Sequence, residues 1–201
     1  MTTIEKTPKI SNWFASDDEF NQMYNIDLQY LANRHWTPTT VAKRASAFLA
    51  AEPGNKILDI GSGVGKFCLT GAYYHPDAFF FGIEQRKKLV ESADYVKCLL
   101  ELKNASFIHG NFTKLSLNKF DHFYFYNSFY ENLDGTAKID DSIAYSGELY
   151  NYYNAYLFKQ LELVRSGTRL ATYHAIGIEI PPCFHVVGSD QDGLLQFWIK
   201  E

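Results

Sequence analysis

This 201-residue chain is short of cysteine and methionine, has no excess of basic charge and has no long apolar run. Its three cysteines, Cys68, Cys98 and Cys183, are odd in number and far apart. Without a CxxC pair they exclude a disulfide framework or a zinc ribbon and read as reduced thiols. Six histidines show no HExxH or HxH spacing, so no metal site is expected. Nineteen Lys and Arg stand against 23 Asp and Glu, a net charge of −4 with no basic tract, which argues against a nucleosome or DNA footprint. The opening "MTTIEKTPKI" has no apolar signal core, and no stretch approaches membrane-spanning length. The chain is therefore expected to be cytoplasmic, away from membranes. No repeat or linker divides it, and no pattern in it speaks to oligomeric state.

What the chain does have is apolar and aromatic mass: 46% hydrophobic residues, with 14 Tyr and 16 Phe, enough for one sizeable core. Phe20, Tyr24, Leu28 and Leu31 are spaced for an amphipathic helix over residues 17–32. In "WTPTTVAKRASAFLA", Thr37 suits a helix cap, Pro38 the first helical position, and Val41, Ala45, Phe48 and Leu49 one face. Strands are predicted at 57–60, 78–84, 105–110, 120–127 and 168–175, with helices at 66–74, 86–103 and 146–165 between them. "AFFFGIE" is too uniformly apolar to have a wet face, as in parallel sheets covered on both sides. After Pro181-Pro182, two strands around a Gly/Asp turn read as an antiparallel hairpin. The expected fold is α/β: a doubly wound, mostly parallel Rossmann-like sheet ending in that hairpin. Residues 1–52 are expected to pack on it as a helical segment, with 53–201 forming the main unit.

The stretch "KILDIGSGVGKF" places three glycines directly after the first strand. A phosphate-binding P-loop would need G-x-x-x-x-G-K-[ST], but Phe67 follows Lys66 and Ile60 stands where the first glycine belongs. A dinucleotide fingerprint, G-x-G-x-x-G, fails by one position at Gly65, which also disfavours a nicotinamide oxidoreductase. Asp59, Gly61, Ser62, Gly63 and Gly65 instead form D-x-G-x-G-x-G. Glycines allow a ligand to approach the backbone closely, and the carboxylate suits a cation where it would repel a pyrophosphate. A turn that only joins strand to helix is the competing reading. Glu84, 21 residues past Gly63 and ending the second strand, is placed for a ribose diol at the sheet's switch point.

This pattern resembles the class I S-adenosylmethionine-dependent methyltransferases. With Gly82-Ile83-Glu84, Gly110-Asn111-Phe112 and Asn127-Ser128-Phe129 at the next strand ends, it is closest in motifs to their non-SET histone-lysine branch, disruptor of telomeric silencing, over residues 56–174. The resemblance implies S-adenosylmethionine as cofactor, Glu84 on the ribose and Phe112 on the adenine. Asn111 stands where that branch has an aspartate, with an amide oxygen still able to accept from the adenine amino group. Asn127 would lie beside the sulfonium. Ser128 replaces the branch's second asparagine.

The implied activity is methyl transfer to a protein lysine or to a small-molecule amine or hydroxyl, with a catalytically inactive donor-binding protein as the alternative. A lysine acceptor must lose its proton, against an ordinary pKa of about 10.4, and desolvation between aromatic rings favours the neutral amine. Tyr126, Phe129 and Tyr130 are candidates to line such a channel, or else pack at a strand end. Trp36 and Thr37 are candidates for ligand contact, and His174 for a proton acceptor or a structural histidine. The polar stretch 131–146 is expected to close over the site, its acidic residues either favouring a cationic substrate or simply facing solvent.

Overall fold

The computed structural model describes residues 13–201. The first twelve residues, which carry the signal-free opening and part of the expected N-terminal segment, lie outside that range. Alternation of buried side chains across the strands sets up two apolar layers. Ile57, Phe80 and Tyr124 face one layer, while Leu58, Ile60, Phe123 and Phe125 face the other.

Four helices precede the sheet: α1 (Asp17–Asn21), α2 (Ile26–Gln29), α3 (Ala32–His35) and α4 (Thr39–Leu49). The single helix expected over 17–32 is thus three short ones. Ser16 caps α1 by accepting from the Glu19 N–H at 3.2 Å, and Asn25 restarts the chain by accepting from Leu28 N–H at 3.0 Å. A polar side chain that bonds its own backbone interrupts a helix that apolar spacing alone would continue. Thr37 is not the cap of α4 either. Its hydroxyl lies 3.1 Å from the Tyr124 hydroxyl, and Pro38 occupies the cap position. The cap comes from a distant residue, since Asp17 Oδ1 accepts from both the N–H and the hydroxyl of Thr39 at 2.7 Å.

The chain then alternates β1 (Lys56–Ile60), α5 (Lys66–Tyr74), β2 (Phe79–Glu84), α6 (Lys87–Leu99), β3 (Ala105–His109), β4 (His122–Phe125), α7 (Gly147–Leu163) and β5 (Arg169–Tyr173), and closes with β6 (Phe184–Asp190) and β7 (Leu195–Lys200). The seven strands lie in the order β3-β2-β1-β4-β5-β7-β6. The first five are parallel, and β7 runs antiparallel to both β5 and β6. This is the mostly parallel sheet with an antiparallel end that the sequence predicts. The N-terminal helices share one apolar cluster with α4, α5 and α6, whereas α7 covers the opposite face. Strand order reverses between β1 and β4. A crevice at such a switch point opens beyond the carboxyl ends of the strands, and the motif residues collect there. No helix among the described residues is long and apolar enough to cross a membrane.

Candidate active site

A cavity of about 750 Å³ lies over the carboxyl ends of the parallel strands. Asp59, Gly61, Ser62, Gly63, Glu84, Phe112, Asn127, Phe129, Tyr130 and Thr37 all line it. The strand-to-helix turn forms its floor. Gly61 and Gly63 both have positive φ, at 80° and 53°, but for different surroundings. A Cβ on Gly61 would overlap the Ser128 side chain, whereas one on Gly63 would meet no protein atom within 4 Å. Gly61 is therefore required by the protein, and Gly63 leaves room on the cavity side. Gly61→Ala should cost about 2 kcal/mol in stability through overpacking and left-handed strain. Gly63→Ala should cost only about 1 kcal/mol, yet abolish ligand binding. Paired melting and titration measurements check the contrast.

Two carboxylates face the turn. Glu84 is buried; its Oε2 accepts from the Gly63 N–H at 3.2 Å and its Oε1 from the Arg86 N–H at 2.9 Å. The 21-residue spacing between glycine and acid is thus a direct contact. Asp59 is deeply buried, with the Cys68 thiol 3.8 Å from its Oδ2. Burial pushes its carboxyl well above the usual range; the Cys68 thiol opposes this and the Glu84 charge adds to it. A cationic ligand group beside Asp59 favours its ionised form. Affinity for a ligand bearing an ammonium should therefore climb with pH above the usual carboxylate range as Asp59 ionises. Titrations at rising pH check this, and Asp59→Asn should flatten the profile.

The third and fourth strand ends supply an aromatic wall. Phe112 stacks on Phe129 with centroids 5.0 Å apart, and Tyr153 from α7 lies 5.7 and 5.4 Å from these rings. Phe129 therefore stands in the same aromatic wall as Phe112. Asn127 has φ 37°, a left-handed conformation uncommon outside glycine, and such backbone concentrates at functional sites. The Ser128 hydroxyl is consumed by the Ile60 carbonyl at 2.6 Å.

Two expected ligand residues are placed elsewhere. Gly65 does not line the cavity; it starts α5 and packs against Phe107. Asn111 does not line it either. Its Oδ1 accepts from the Thr113 N–H, and its amide donates to Gln85 and to the Tyr153 hydroxyl. The asparagine holds the turn that presents Phe112. The remaining wall comes from α3 and the later strands. Tyr126 donates to the Arg34 carbonyl at 3.4 Å and stacks on His174 at 5.8 Å, while Trp36 packs edge-on against Tyr24. Arg34, His35 and Trp36 line the cavity with His174. Burial, then the charges of Arg34 and Arg86, pull His35 below the ordinary histidine value, so its ring is neutral at pH 7.

Lys66, which invites a phosphate reading, lines the cavity but has its ammonium committed to other protein groups. Its ammonium is buried, 2.6 Å from Asp17 and 3.2 Å from Asn21. Sequence reading gave no site role to Tyr153 or Arg86; of these only Arg86, two residues past the motif acid, had a positional signal.

Residues 51–147 match a family model described as a methyltransferase domain. The matched segment is just under half of the chain and spans the glycine turn and the ends of the second, third and fourth strands. Beyond it, α7, β5 and the hairpin complete the sheet. A tRNA (guanine-N(7)-)-methyltransferase of Synechococcus sp. is 46% identical over 54 residues, which are 27% of this chain and 23% of that protein. The chain thus matches less than a quarter of that relative's length. An RNA methyltransferase of Salinibacter ruber, solved with S-adenosyl-L-homocysteine, superposes with a TM-score of 0.57 at 19% identity, over 82% of this chain and 92% of the other. TrmN of Thermus thermophilus gives 0.58 at 16%, over 85% and 51%. Similarity at these identities is similarity of fold.

The donor set of the cavity fits S-adenosylmethionine. Glu84 offers a carboxylate to a diol, and Asp59 a carboxylate to a cation. Phe112 offers an apolar face to a base. Gly63 keeps the approach open, and the buried Ser62 hydroxyl beside it has no hydrogen-bond partner among the described residues.

Proposed function

We propose that this chain is an S-adenosylmethionine-dependent methyltransferase acting on an amine or hydroxyl acceptor. The observation that carries the reading is Glu84 bonded to the Gly63 N–H at 3.2 Å on the floor of the cavity, where the glycine turn after β1 meets the end of β2, beside the switch point. Once bound, the sulfonium supplies an already activated methyl group. The protein's own part is then alignment and exclusion of water. Glu84 and the turn hold the donor's sugar, Phe112 and Phe129 its base, and Asn127 borders the reacting end. Tyr126 and His174 wall the space opposite. The neutral imidazole of His35 is suited to receive the proton that a nucleophile sheds, and the tyrosine faces suit a cation.

The acidic stretch 131–146 offers weaker support for a cationic acceptor than its sequence suggests, because Glu131 and Asp140 are already paired with Arg86. None of the relatives described above belongs to the non-SET histone-lysine branch, and Ser128 is spent on the backbone. We therefore retain the wider acceptor class, amine or hydroxyl on protein or small molecule. A donor-binding protein without transfer is the second reading. The space walled by Tyr126, His174 and Arg34 argues against it, since it lies open beside the donor cradle. Incubation with methyl-labelled S-adenosylmethionine and a fractionated lysate tests the proposal. Label in protein or in a small-molecule fraction supports it; donor binding with no labelled product in any fraction favours the second reading.

A further inference from the structure

Arg86 precedes α6 and is buried at 5% exposure, with carboxylates on three sides. Its Nη2 lies 2.6 Å from Glu131 Oε2 and 2.6 Å from the Tyr145 hydroxyl, and its Nε lies 3.2 Å from Asp140 Oδ1. Nη1 reaches Glu84 Oε1 at 3.4 Å, the oxygen that also accepts from the Arg86 N–H. One guanidinium therefore touches the donor-side acid and three residues of the 131–145 segment.

That segment is a wall of the cavity, lined by Glu131, Thr136, Ile139 and Tyr145 among others. It has little regular structure beyond the 3-10 turn Tyr130–Asn132. Its internal bonds keep it coherent: Glu131 also accepts from the Ile139 N–H at 3.1 Å, and Tyr145 donates to the Asp140 carbonyl. Among the described residues, and apart from bonds to the adjoining residues 129 and 130, every hydrogen bond leaving 131–145 for the rest of the protein ends on Arg86.

We propose that Arg86 is a positioning residue that couples donor binding at Glu84 to the seating of the 131–145 wall. This rests on the methyl-donor reading of Glu84. A carboxylate has about four acceptor sites, and three N–H groups already use those of Glu84. A diol arriving there must share that carboxylate with Nη1, the longest of the three contacts, so a seated wall that fixes the guanidinium also holds Glu84 oriented for the donor, and the two reinforce each other. Coupling of this kind is reciprocal: whatever factor the seated wall contributes to donor affinity, the donor returns to the wall. Arginine is required because a single ammonium cannot span Glu84, Glu131 and Asp140 together.

The wall carries its own reporter, because Lys138 is exposed and offers trypsin a site within it. The double variant Asp140→Ala with Tyr145→Phe removes two of the wall's three side-chain contacts to Arg86, the Glu131 pair remaining, and leaves Glu84 and the glycine turn untouched. Arg86→Lys is the companion, and thermal melts confirm that each is folded. In the wild type, S-adenosylhomocysteine should slow cleavage after Lys138. In the double variant, cleavage without ligand should be faster, the protection should largely vanish, and the ligand should bind about tenfold more weakly, within the usual range of coupling between sites. Wild-type affinity in the double variant, or equal protection of Lys138 in both proteins, would overturn the coupling while leaving the donor site intact. If the wild type itself fails to bind the ligand, the donor reading falls and this inference with it.

Discussion

Glu84→Ala is expected to weaken S-adenosylhomocysteine binding about 100-fold. The carboxylate is buried, oriented by the Gly63 and Arg86 N–H groups, and presented to the cavity. Two hydroxyl hydrogen bonds to a charged acceptor are worth about 1.5–3 kcal/mol each, and a loss of about 3 kcal/mol is about two decades in affinity. Glu84→Gln keeps one acceptor oxygen but sets an amide donor against Arg86, so an intermediate loss of about tenfold is expected. Both variants should also melt lower without ligand, because Arg86 loses a partner. That structural cost is separable. A ligand that binds only the folded state raises the melting temperature by mass action, so the ligand-induced rise should disappear in Glu84→Ala even when its lower starting point is subtracted. A preserved rise would show that Glu84 only supports the turn.

The second large effect is on stability. Asp17→Ala should cost about 2–3 kcal/mol. Asp17 accepts from the Thr39 N–H and hydroxyl and from Lys66 Nζ, so one carboxylate caps α4 and neutralises a buried ammonium. Lost capping costs about 1 kcal/mol. Breaking a buried ion pair costs about 3–5 kcal/mol, but Asp17 is 49% exposed and water can partly replace it, which lowers the sum. The two partners feel the pair differently. Burial alone would raise the Asp17 carboxyl, but the hydrogen bonds from Lys66 and Thr39 outweigh it and hold it below its usual value. Lys66 is more deeply buried, and there burial outweighs the attraction of Asp17 and pulls the ammonium down. Since the folded carboxyl titrates below the unfolded one, the stabilisation is complete above about pH 4. It is lost as pH falls through the depressed value. Denaturant unfolding of Asp17→Ala and of Asp17→Ala with Lys66→Met measures the effect. The second substitution removes the stranded charge and should recover part of the loss. Equal stability of wild type and Asp17→Ala would show that solvent screens the pair completely.

The two variants also mark what could be read without coordinates. Glu84 was legible because strand, glycine turn and next strand occur in an order that only a parallel sheet brings together, and the spacing to Gly63 carried the contact. The strands and the closing hairpin were legible for a similar reason: their patterns are local and period-two or uniformly apolar. Asp17 was not legible. Its partners are Thr39 and Lys66, 22 and 49 residues away, and a sequence-local reading assigned the cap to Thr37 instead. The helix expected over 17–32 failed because apolar spacing says nothing about Ser16 and Asn25 bonding their own backbone. Asn111 matched a motif position, yet its side chain faces Gln85 and Tyr153. Motif position fixes where the backbone runs, while side-chain direction depends on neighbours such as Tyr153 that arrive from another element. Arg86 gathers Glu84, Glu131, Asp140 and Tyr145 from across 62 residues of chain, and no short pattern carries that.

The central claim is that the cavity over β1 and β2 holds a methyl donor. A calorimetric titration of the wild-type chain with S-adenosylhomocysteine, run beside one with NAD, tests it most directly. Saturable, one-to-one binding of S-adenosylhomocysteine, tighter than any binding of NAD, is the result expected. No heat of binding at millimolar S-adenosylhomocysteine, or tighter binding of NAD, would contradict it.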